Sequence, residues 1–507
     1  MPDPPPARIE PLDEFNLRLL ENVHPPEWVN PAPKPRYHLV VIGAGTGGLV
    51  SAAAAAGLGA KVALVERHLM GGDCLNVGCV PSKGIIRAAR AWREAARAHA
   101  EFGGPLAEGA GNFPAVMARM RRLRAGISRI DGAPRFRDLG VDVFLGAGRF
   151  AGPDTVEVDG TLLRFRRAII ATGGRPAVPP IPGLADVGYL TNETVFGLTE
   201  LPRRLTVVGG GPIGCELAQA FARLGSTVTL VERGPRLLAR DDPDAAAIVE
   251  RAMADDGVAI LRNTAVRRAE RDGSTGTLVV ERDGLEARVE ADAILVATGR
   301  APNVEGLGLE AAGVGYGQGG VVVDDRLCTS NPRVFAVGDV SSRLRFTHNS
   351  DAQARIAIRN ALFFGRARAS RLVMPWCTYT SPEVAHVGLH ETDARDGGHD
   401  VETLTLPLAE VDRAVLDGES AGFLRVHLKR GTDRILGATL VAEHAGEMIG
   451  EIGVAIVNGV GLAGIGRAIH PYPTQAEVFR KAADAWRRGK LTPRVRGALR
   501  LFFRAFR

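Results

Sequence analysis

Two stretches of the chain repeat one pattern of apolar and glycine positions. Residues 39–66 read LVVIGAGTGGLVSAAAAAGLGAKVALVE and residues 205–232 read LTVVGGGPIGCELAQAFARLGSTVTLVE, with no gap over 28 residues. Each has an apolar run typical of a buried strand, a Gly-x-Gly-x-x-Gly turn, a segment of helix length, and a second apolar run that ends in glutamate. The pattern therefore predicts two strand–turn–helix–strand units.

The glycines of each turn have separate physical roles. The first permits a tight turn, the second lets the backbone approach a pyrophosphate, and the third lets the helix pack closely on the strand. The N-terminus of the helix then offers unpaired N–H groups to the phosphates. A glycine-rich turn without a ligand is the alternative, but in both units a glutamate follows 23 residues after the first glycine, where a carboxylate can hold ribose hydroxyls. We therefore expect two dinucleotide sites, at Gly43, Gly45, Gly48 and Glu66 and at Gly209, Gly211, Gly214 and Glu232.

The pattern changes towards the C-terminus. Runs typical of strands or helices recur at residues 289–298, 334–339, 422–428, 435–442 and 445–457. From about residue 370, the alternating strands and the helix that follows them predict a domain of a different, α+β kind. Residues 1–36 are rich in proline, and we interpret them as an extension that lies over the body of the protein.

Composition agrees with an ordinary globular protein and excludes several classes. The chain has 507 residues, 45% of them hydrophobic, and at roughly 100–200 residues per domain this predicts about three domains. The net charge is only +6, and the main body has no dense basic stripe with interleaved aromatic residues, so nucleic acid is not an expected partner. There is no run of about 20 apolar residues and no signal peptide, so the cytoplasm is the expected compartment.

Two of the five cysteines lie close together in the segment GGDCLNVGCVPSK, residues 71–83. Pro81 fits the first position of a helix, which places Cys79 at a helix N-terminus, where the dipole stabilises a thiolate. Cys74 lies five residues earlier, near enough for a small-loop disulfide. A structural bridge is rare in the cytosol, and a metal site lacks two further ligands in the local sequence. Redox-active cysteines are the favoured interpretation.

This segment, together with the two dinucleotide units, resembles the flavin-dependent class I pyridine nucleotide–disulfide oxidoreductases, which include lipoamide dehydrogenase, glutathione reductase and mercuric reductase. Further matching segments are ATGGR at 171–175, ATGRAPN at 297–303, a flavin motif at 329–339 and the opening of a dimerisation domain at 381–389. The resemblance implies an α/β fold with two Rossmann-like dinucleotide-binding domains and a C-terminal α+β dimerisation domain. The predicted division is an N-terminal extension (1–36), an FAD-binding domain in two parts (37–180 and 300–369), an NAD(P)-binding domain (181–299), a dimerisation domain (370–490) and a basic amphipathic tail (491–507).

The resemblance also implies roles for individual residues. Cys79 is expected to lie against the flavin as the charge-transfer thiol, and Cys74 to face the substrate. Lys83 falls where the family has a lysine beside the reactive flavin nitrogen, and Glu216 falls at its carboxylate partner; a solvent-facing lysine is the alternative. The first glycine unit is expected to bind FAD with Gly72, Thr172, Gly173, Gly338 and Asp339. The second is expected to bind NADH or NADPH with Arg233 and Gly299.

The chain departs from its disulfide-reducing relatives near its C-terminus. Those enzymes have a histidine five residues before a glutamate, but here that position before Glu477 is Tyr472, and His470 is two residues too early. A phenol is a poor base near neutral pH. A tyrosine at this position resembles mercuric reductases, in which it helps to hold a metal ion at the two thiolates, and soft thiolates suit a soft cation. Asp73 also stands where relatives usually carry threonine.

Two features of mercuric reductases are missing. Residues 499–507 contain no cysteine pair, and the N-terminal extension has no Cys-x-x-Cys domain. Our interpretation is a mercuric reductase-like enzyme that reduces a metal ion or another small-molecule acceptor. The alternatives are a lipoamide dehydrogenase-like disulfide reductase and a flavin-binding redox sensor without steady turnover.

Partners and the choice of nicotinamide follow from the remaining residues. The family builds its active sites across a homodimer, so Tyr472 and Glu477 are expected to come from the other subunit. Glu232 repels a 2′-phosphate and favours NADH, whereas Arg233 and Arg236 favour NADPH; NADH is slightly preferred. The tail at 491–507 is expected to dock on the protein or its partner subunit, with an anionic membrane surface as the alternative.

Overall fold

The computed structural model describes residues 9–106, 111–272 and 275–506. The strands are β1 (Tyr37–Ile42), β2 (Val62–Glu66), β3 (Val141–Leu145), β4 (Gly148–Gly152), β5 (Thr155–Val158), β6 (Thr161–Ile170), β7 (Gly174–Pro176), β8 (Arg204–Val208), β9 (Thr227–Val231), β10 (Ala259–Leu261), β11 (Ala265–Asp272), β12 (Thr275–Arg282), β13 (Leu285–Ala291), β14 (Ala293–Val296), β15 (Arg300–Pro302), β16 (Tyr316–Gly317), β17 (Gly320–Val321), β18 (Val334–Ala336), β19 (Pro375–Thr378), β20 (Glu383–Gly388), β21 (Val401–Pro407), β22 (Phe423–Lys429) and β23 (Ile435–Ala442). The helices are α1 (Glu14–Val23), α2 (Thr46–Gly57), α3 (Gly72–Asn76), α4 (Cys79–Phe102), α5 (Phe113–Ile127), α6 (Ala133–Asp138), α7 (Leu184–Val187), α8 (Pro212–Arg223), α9 (Pro243–Asp255), α10 (Thr347–Phe363), α11 (Glu391–Asp396), α12 (Asp412–Leu416), α13 (Ala445–Val457), α14 (Leu462–Ile465), α15 (Glu477–Gly489) and α16 (Pro493–Ala505).

The chain divides into two compact units. The first comprises Met1–Arg233 and Thr264–Leu372, and the second comprises Gly234–Asn263 and Val373–Arg507. The domain boundaries expected from the sequence divide the chain more finely and stay a prediction.

The first unit contains both sequence repeats, each folded as predicted. In the first repeat, β1 pairs in parallel with β2 on one side and β6 on the other, and α2 connects β1 to β2. The sheet has the order β3-β2-β1-β6-β5-β4, with β18 also paired to β6. β2 is buried along its whole length, as expected for a parallel strand covered on both faces. In the second repeat, β8 pairs in parallel with β9 and β14, and α8 connects β8 to β9.

The N-terminal segment before β1 contains a buried helix. The side chain of Asp13 caps α1 by accepting a hydrogen bond from the backbone N–H of Asn16 over 2.9 Å, a common way to start a helix. Leu19 and Val23 are fully buried in the hydrophobic core that also contains Val41 of β1. The segment therefore contributes to the core, which its proline-rich sequence did not predict.

The second unit is built on an antiparallel sheet of order β19-β20-β23-β22-β21. One hydrophobic core joins this sheet to α13 and α15 through buried residues that include Ile449, Ile452 and Phe479. The strands predicted at 422–428 and 435–442 and the helix predicted at 445–457 are confirmed as β22, β23 and α13. Within the described ranges, no helix combines the length and the apolar composition that crossing a bilayer requires.

Candidate active site

The two neighbouring cysteines lie at the junction of two helices in the first unit. Cys74 is in the short helix α3, and Cys79 is the first residue of α4. No disulfide joins them in this structure, and their side chains are hydrogen-bonded to each other. The Sγ atom of Cys79 also lies 3.3 Å from Oγ1 of Thr347, the first residue of α10. Pro81 is the third residue of α4, and not the first as the sequence suggested, because proline is accepted anywhere in a first turn that lacks N–H partners.

The surroundings of the pair make one thiol acidic. The pKa of Cys79 is lowered to about 6, first by the hydrogen bond from Cys74 and then by the hydrogen bond with Thr347 and the positive charge of Lys83, although burial opposes the shift. The pKa of Cys74 is raised, mainly because its proton is held in the hydrogen bond to Cys79. At neutral pH, Cys79 is therefore a thiolate and Cys74 a thiol.

One turn further along α4, Lys83 forms an ion pair with Glu216. Its Nζ atom lies 2.8 Å from Oε2 of Glu216, a residue of α8 whose side chain is only 7% exposed. A buried carboxylate favours a charged partner at hydrogen-bond distance. The alternative of a solvent-facing lysine does not fit this pair.

The first glycine turn has no room for side chains. Gly43 has φ +99°, and a Cβ there would lie 2.4 Å from the carbonyl oxygen of Ala171. A Cβ on Gly48 would lie 1.8 Å from the carbonyl oxygen of Gly43, and a Cβ on Gly72 would lie 2.6 Å from Cα of Gly45. The backbone therefore lines the space in front of α2, whose N-cap residue Gly45 offers no side-chain cap to the first N–H groups.

The second turn repeats this geometry in the second sequence repeat. A Cβ on Gly209, at φ +112°, would lie 2.6 Å from the carbonyl oxygen of Ala297, and a Cβ on Gly214 would lie 1.9 Å from that of Gly209. By contrast, no described atom lies within 4 Å of a Cβ built on Gly211. The space in front of α8 is thus open, as a bound pyrophosphate requires.

The glutamate that ends each repeat binds the backbone of its own turn. Oε2 of Glu66 accepts a hydrogen bond from the N–H of Ala44 over 2.7 Å, and Oε2 of Glu232 accepts one from the N–H of Gly210 over 2.6 Å. Burial raises the pKa of Glu66, and the hydrogen bond from Ala44 opposes this shift. Both carboxylates lie beside a glycine turn, while their role in binding ribose stays a prediction.

An arginine joins two predicted positions of the flavin site. Nε of Arg300 lies 3.2 Å from Oδ2 of Asp339, and its Nη2 atom forms an ion pair with Asp73 and donates to the carbonyl of Gly174 over 2.9 Å. Burial raises the pKa of Asp339, and the charge of Arg300 opposes this shift. Asp73, which the sequence left without explanation, thus has a cationic partner that a threonine could not pair with.

The other predicted flavin residues shape nearby turns of the first unit. Oγ1 of Thr172 donates to the carbonyl of Asn303 over 2.8 Å, and the N–H of Asn303 donates to the carbonyl of Gly173 over 3.0 Å. Gly338 has φ +77°, and its N–H donates to Oε1 of Gln353 over 2.8 Å. These contacts hold the loops at the carboxyl ends of parallel strands, where α/β folds bind ligands.

The residues predicted around the nicotinamide differ in their exposure and in the hydrogen bonds that they already make. Gly299 has φ +133°, a conformation that favours glycine, and Arg233 is exposed at the end of β9. The guanidinium of Arg236 instead donates to the carbonyls of Asp241 and Ala239, over 2.9 and 2.7 Å. Arg236 is therefore committed to the backbone of its own loop.

The predicted acid–base residues of the C-terminal region lie in the second unit. Tyr472 is 70% exposed, and its hydroxyl donates to Oδ2 of Asp412 over 3.0 Å. Glu477 is buried and forms an ion pair with Arg480. His470 is held separately, with its Nε2 atom 3.0 Å from Oε1 of Glu451. The phenol at the position of the usual histidine thus points outward in a single chain.

Comparison with known families assigns the chain to a class. The family model described as pyridine nucleotide-disulphide oxidoreductase matches residues 37–354, and the one described as its dimerisation domain matches residues 374–483. The chain belongs to this family, which confirms the resemblance seen in the sequence. It is an NAD(P)H-dependent flavoprotein disulfide oxidoreductase that uses FAD. Its dimerisation domain supports a homodimer.

Individual relatives include more than one activity. The chain is 38% identical to a mercuric reductase of Streptomyces lividans over 461 residues, which cover 89% of this chain and 96% of the relative. It is 33% identical to a dihydrolipoyl dehydrogenase of Bacillus subtilis over 470 residues, which cover 89% and 98%. Among solved structures, it is similar to the Cu(II) complex of the HOCl-induced flavoprotein disulfide reductase RclA from Escherichia coli, with a TM-score of 0.78, 29% identity, and 87% and 98% coverage.

Proposed function

We propose that this enzyme passes electrons from its dithiol to a soft metal ion, with a lipoamide dehydrogenase-like disulfide reductase as the alternative. The observation that carries the proposal is the pairing of an acidic Cys79 with Cys74, which offers two soft sulfur ligands side by side. Several relatives of the chain are named mercuric reductase, and two similar structures are Cu(II) complexes. Both names associate a metal ion with a protein similar to this chain.

The residues around the dithiol have separate roles in this mechanism. The first glycine turn and Asp339 would hold FAD, which when bound would supply the two-electron chemistry that links the nicotinamide to the disulfide. The Cys74–Cys79 disulfide gains those two electrons and one proton, which gives a thiol at Cys74 and a thiolate at Cys79. Thr347 and Lys83 stabilise the negative charge on Cys79. A divalent ion that binds both sulfurs displaces the proton of Cys74 and takes two electrons from the two thiolates. It leaves as the neutral metal, and the Cys74–Cys79 disulfide forms again.

The acceptor cannot be reduced in the manner of lipoamide unless a base accepts the thiol proton. The hydroxyl of Tyr472 has a pKa raised above its ordinary value of 10 because it hydrogen-bonds to the carboxylate of Asp412. Such a phenol does not take up a proton at neutral pH. A metal ion needs no such base, since it binds thiolates directly.

A comparison of acceptors in the assembled enzyme tests the proposal. We expect steady oxidation of NAD(P)H with Hg(II) supplied in excess thiol, and loss of that activity in both Cys74→Ser and Cys79→Ser. Cys328→Ser is the matched control because this lone cysteine lies outside the pair. Turnover of oxidised lipoamide that exceeds turnover of Hg(II) would contradict the metal-ion proposal and favour a disulfide reductase. No turnover with any acceptor would favour a redox sensor.

We also propose that each active site takes Tyr472 and Glu477 from the partner subunit and the cysteine pair from its own chain. The large exposure of Tyr472 and of neighbouring Ile469, 70% and 96%, agrees with a surface that a second copy covers. Mixed dimers of a Cys79→Ser chain and a Tyr472→Phe chain contain one intact site if sites are shared. Random mixing should restore about a quarter of wild-type activity, whereas unshared sites would restore none.

For the nicotinamide, we propose NADH as the preferred donor. Glu232 lies beside the second glycine turn, where its charge repels a 2′-phosphate. Arg236, which could have bound that phosphate, is engaged by backbone carbonyls. Arg233 remains a candidate phosphate ligand, so the preference is expected to be moderate.

The C-terminal tail is proposed to contact an anionic membrane surface. None of the residues of α16 is buried, and Val495, Leu499 and Phe502 fall on one side of it at helical spacing. No acidic residue follows Asp484 in the sequence, whereas arginines recur along the tail. The charge therefore suits an anionic lipid surface. We expect the enzyme to bind anionic but not neutral vesicles, and to lose this binding when residues 491–507 are removed. A tail that resists proteolysis only in the dimer, and does not bind vesicles, would instead indicate docking on the partner subunit.

A further inference from the structure

The loop between the two cysteines depends on a donor from another helix. α3 ends at Asn76, so the carbonyl of Asn76 lacks a partner within that helix. Nη1 of Arg124, in α5, donates to this carbonyl over 2.6 Å. Asn76 lies two residues after Cys74 and three before Cys79. The bond from Arg124 therefore holds the middle of the redox loop.

The side chain of Asn76 fixes the same point from the other direction. Its Nδ2 atom donates to the carbonyls of Met70 and Gly72, over 3.1 and 2.9 Å. Asn76 is buried, so neither bond competes with water. With its carbonyl bound by Arg124 as well, the residue has little freedom to move.

Arg124 itself requires an acceptor to hold it in place. It is 2% exposed, and burial lowers its pKa to about 10. Its Nη2 atom donates to Oδ1 of Asn16, in α1, over 2.7 Å. A buried guanidinium whose donors lack acceptors is costly. The amide of Asn16 therefore determines the direction in which Nη1 of Arg124 points.

Further contacts near Asn16 hold the N-terminal helix α1 against α5. Asn16 is fully buried and also donates through Nδ2 to the carbonyl of Pro11 over 2.7 Å. Oδ2 of Asp13 pairs with Nε of Arg121 over 2.5 Å, one turn before Arg124 on α5. The start of α1 thus contacts two successive turns of the helix that holds the redox loop.

We propose that α1 is a positioning element of the dithiol site, in which Asn16 orients Arg124 and Arg124 fixes the Asn76 carbonyl, so that Cys74 keeps its hydrogen bond to Cys79. That hydrogen bond is the largest influence that keeps the Cys79 thiol acidic. Through these contacts, α1 sets the reactivity of two cysteines to which neither Asn16 nor Arg124 is bonded directly. This role requires only the redox pair and is the same for any acceptor.

The test measures the acidity of Cys79 in the FAD-loaded enzyme after anaerobic two-electron reduction, which converts the disulfide to a thiol and a thiolate. The rate of alkylation by iodoacetamide is followed against pH by mass spectrometry of the peptide that contains Cys79. Asn16→Leu removes the acceptor of Arg124 but keeps the side-chain volume. The pH midpoint of Cys79 alkylation is expected to rise by about one pH unit in this variant, as the loss of one hydrogen bond predicts. Asn16→Asp retains an acceptor for Arg124 and should keep the wild-type midpoint.

Asn22→Ala is the matched control on the same helix. The amide of Asn22 donates to Oγ of Ser128 over 2.9 Å and not to the arginine of the redox loop, so its midpoint should equal that of the wild type. An unchanged midpoint in Asn16→Leu, or an equal rise in Asn22→Ala, would overturn the proposal. If Asn16→Leu does not fold, Arg124→Lys replaces it, because one ammonium group cannot reach both the Asn16 and the Asn76 acceptors. The midpoint of Cys79 alkylation is again expected to rise, and an unchanged midpoint would overturn the proposal.

Discussion

Replacing Thr347 by valine should make Cys79 less acidic. The hydroxyl of Thr347 lies 3.3 Å from Sγ of Cys79 and is one of the groups that lower its pKa to about 6. Valine keeps the shape of threonine but removes the hydroxyl. A hydrogen bond to a charged group contributes about 1.5 kcal/mol, which corresponds to about one pKa unit. We therefore expect the pKa of Cys79 to rise from about 6 to the neutral range.

The consequence for the thiolate depends on the pH of the assay. At pH 7 the shift lowers the thiolate fraction from about nine tenths to about one half, whereas below pH 6 the ratio approaches tenfold. The assay is the pH titration of the thiolate–flavin charge-transfer absorbance in the two-electron-reduced enzyme. Thr347→Ser, which keeps the hydroxyl, is the control and should titrate like the wild type. Equal titrations for Thr347→Val and the wild type would refute the assignment of Thr347 to the dithiol site.

Three further predictions concern the cofactor sites and stability. Gly48→Ala should abolish FAD binding, because a Cβ there would lie 1.8 Å from a backbone oxygen. Gly57→Ala in the same helix is the control and should retain FAD, because its Cβ would meet no described atom within 4 Å. Flavin absorbance after gel filtration measures the bound FAD. The kcat/KM for NADH should exceed that for NADPH, and Glu232→Gln should reduce the ratio; a preference of the wild type for NADPH would contradict the role of Glu232. Burial lowers the pKa of His386 to about 3 and that of His427 to about 4, so both stay neutral in the folded chain while unfolded histidine takes up a proton below about pH 6.5. Stability should therefore fall below that pH by about 1.4 kcal/mol per pH unit for each histidine, and urea unfolding at pH 7.5 and 5.5 should show a smaller loss in His386→Gln.

The features that the sequence predicted are those set by neighbouring residues. The glycine turns at Gly43 and Gly209 follow from the requirement for tight backbone packing, and both have the positive φ that this packing demands. The position of Cys79 at a helix N-terminus follows from the segment around it. Regular alternation likewise predicted β22 and β23 to within one residue. Each of these signals is contained in a short stretch of chain.

The features that the sequence did not predict join distant parts of the chain. Thr347 lies 268 residues from Cys79, and Arg300 lies 227 residues from Asp73. Such contacts depend on how the strands and helices assemble, which no local pattern of apolar residues records. A threonine in the first turn of a helix, such as Thr347 in α10, carries no sign of a thiol partner by itself. Only the fold brings Thr347 to the thiol.

We infer that Cys74 and Cys79 exchange electrons with the bound flavin. Anaerobic titration of the enzyme with dithionite tests it most directly, with flavin absorbance and the long-wavelength charge-transfer band as readouts. The wild type should take up one two-electron equivalent more per FAD than Cys74→Ser, and the charge-transfer band should develop during the first equivalent. Equal uptake by both proteins, with no charge-transfer band in the wild type, would contradict the claim.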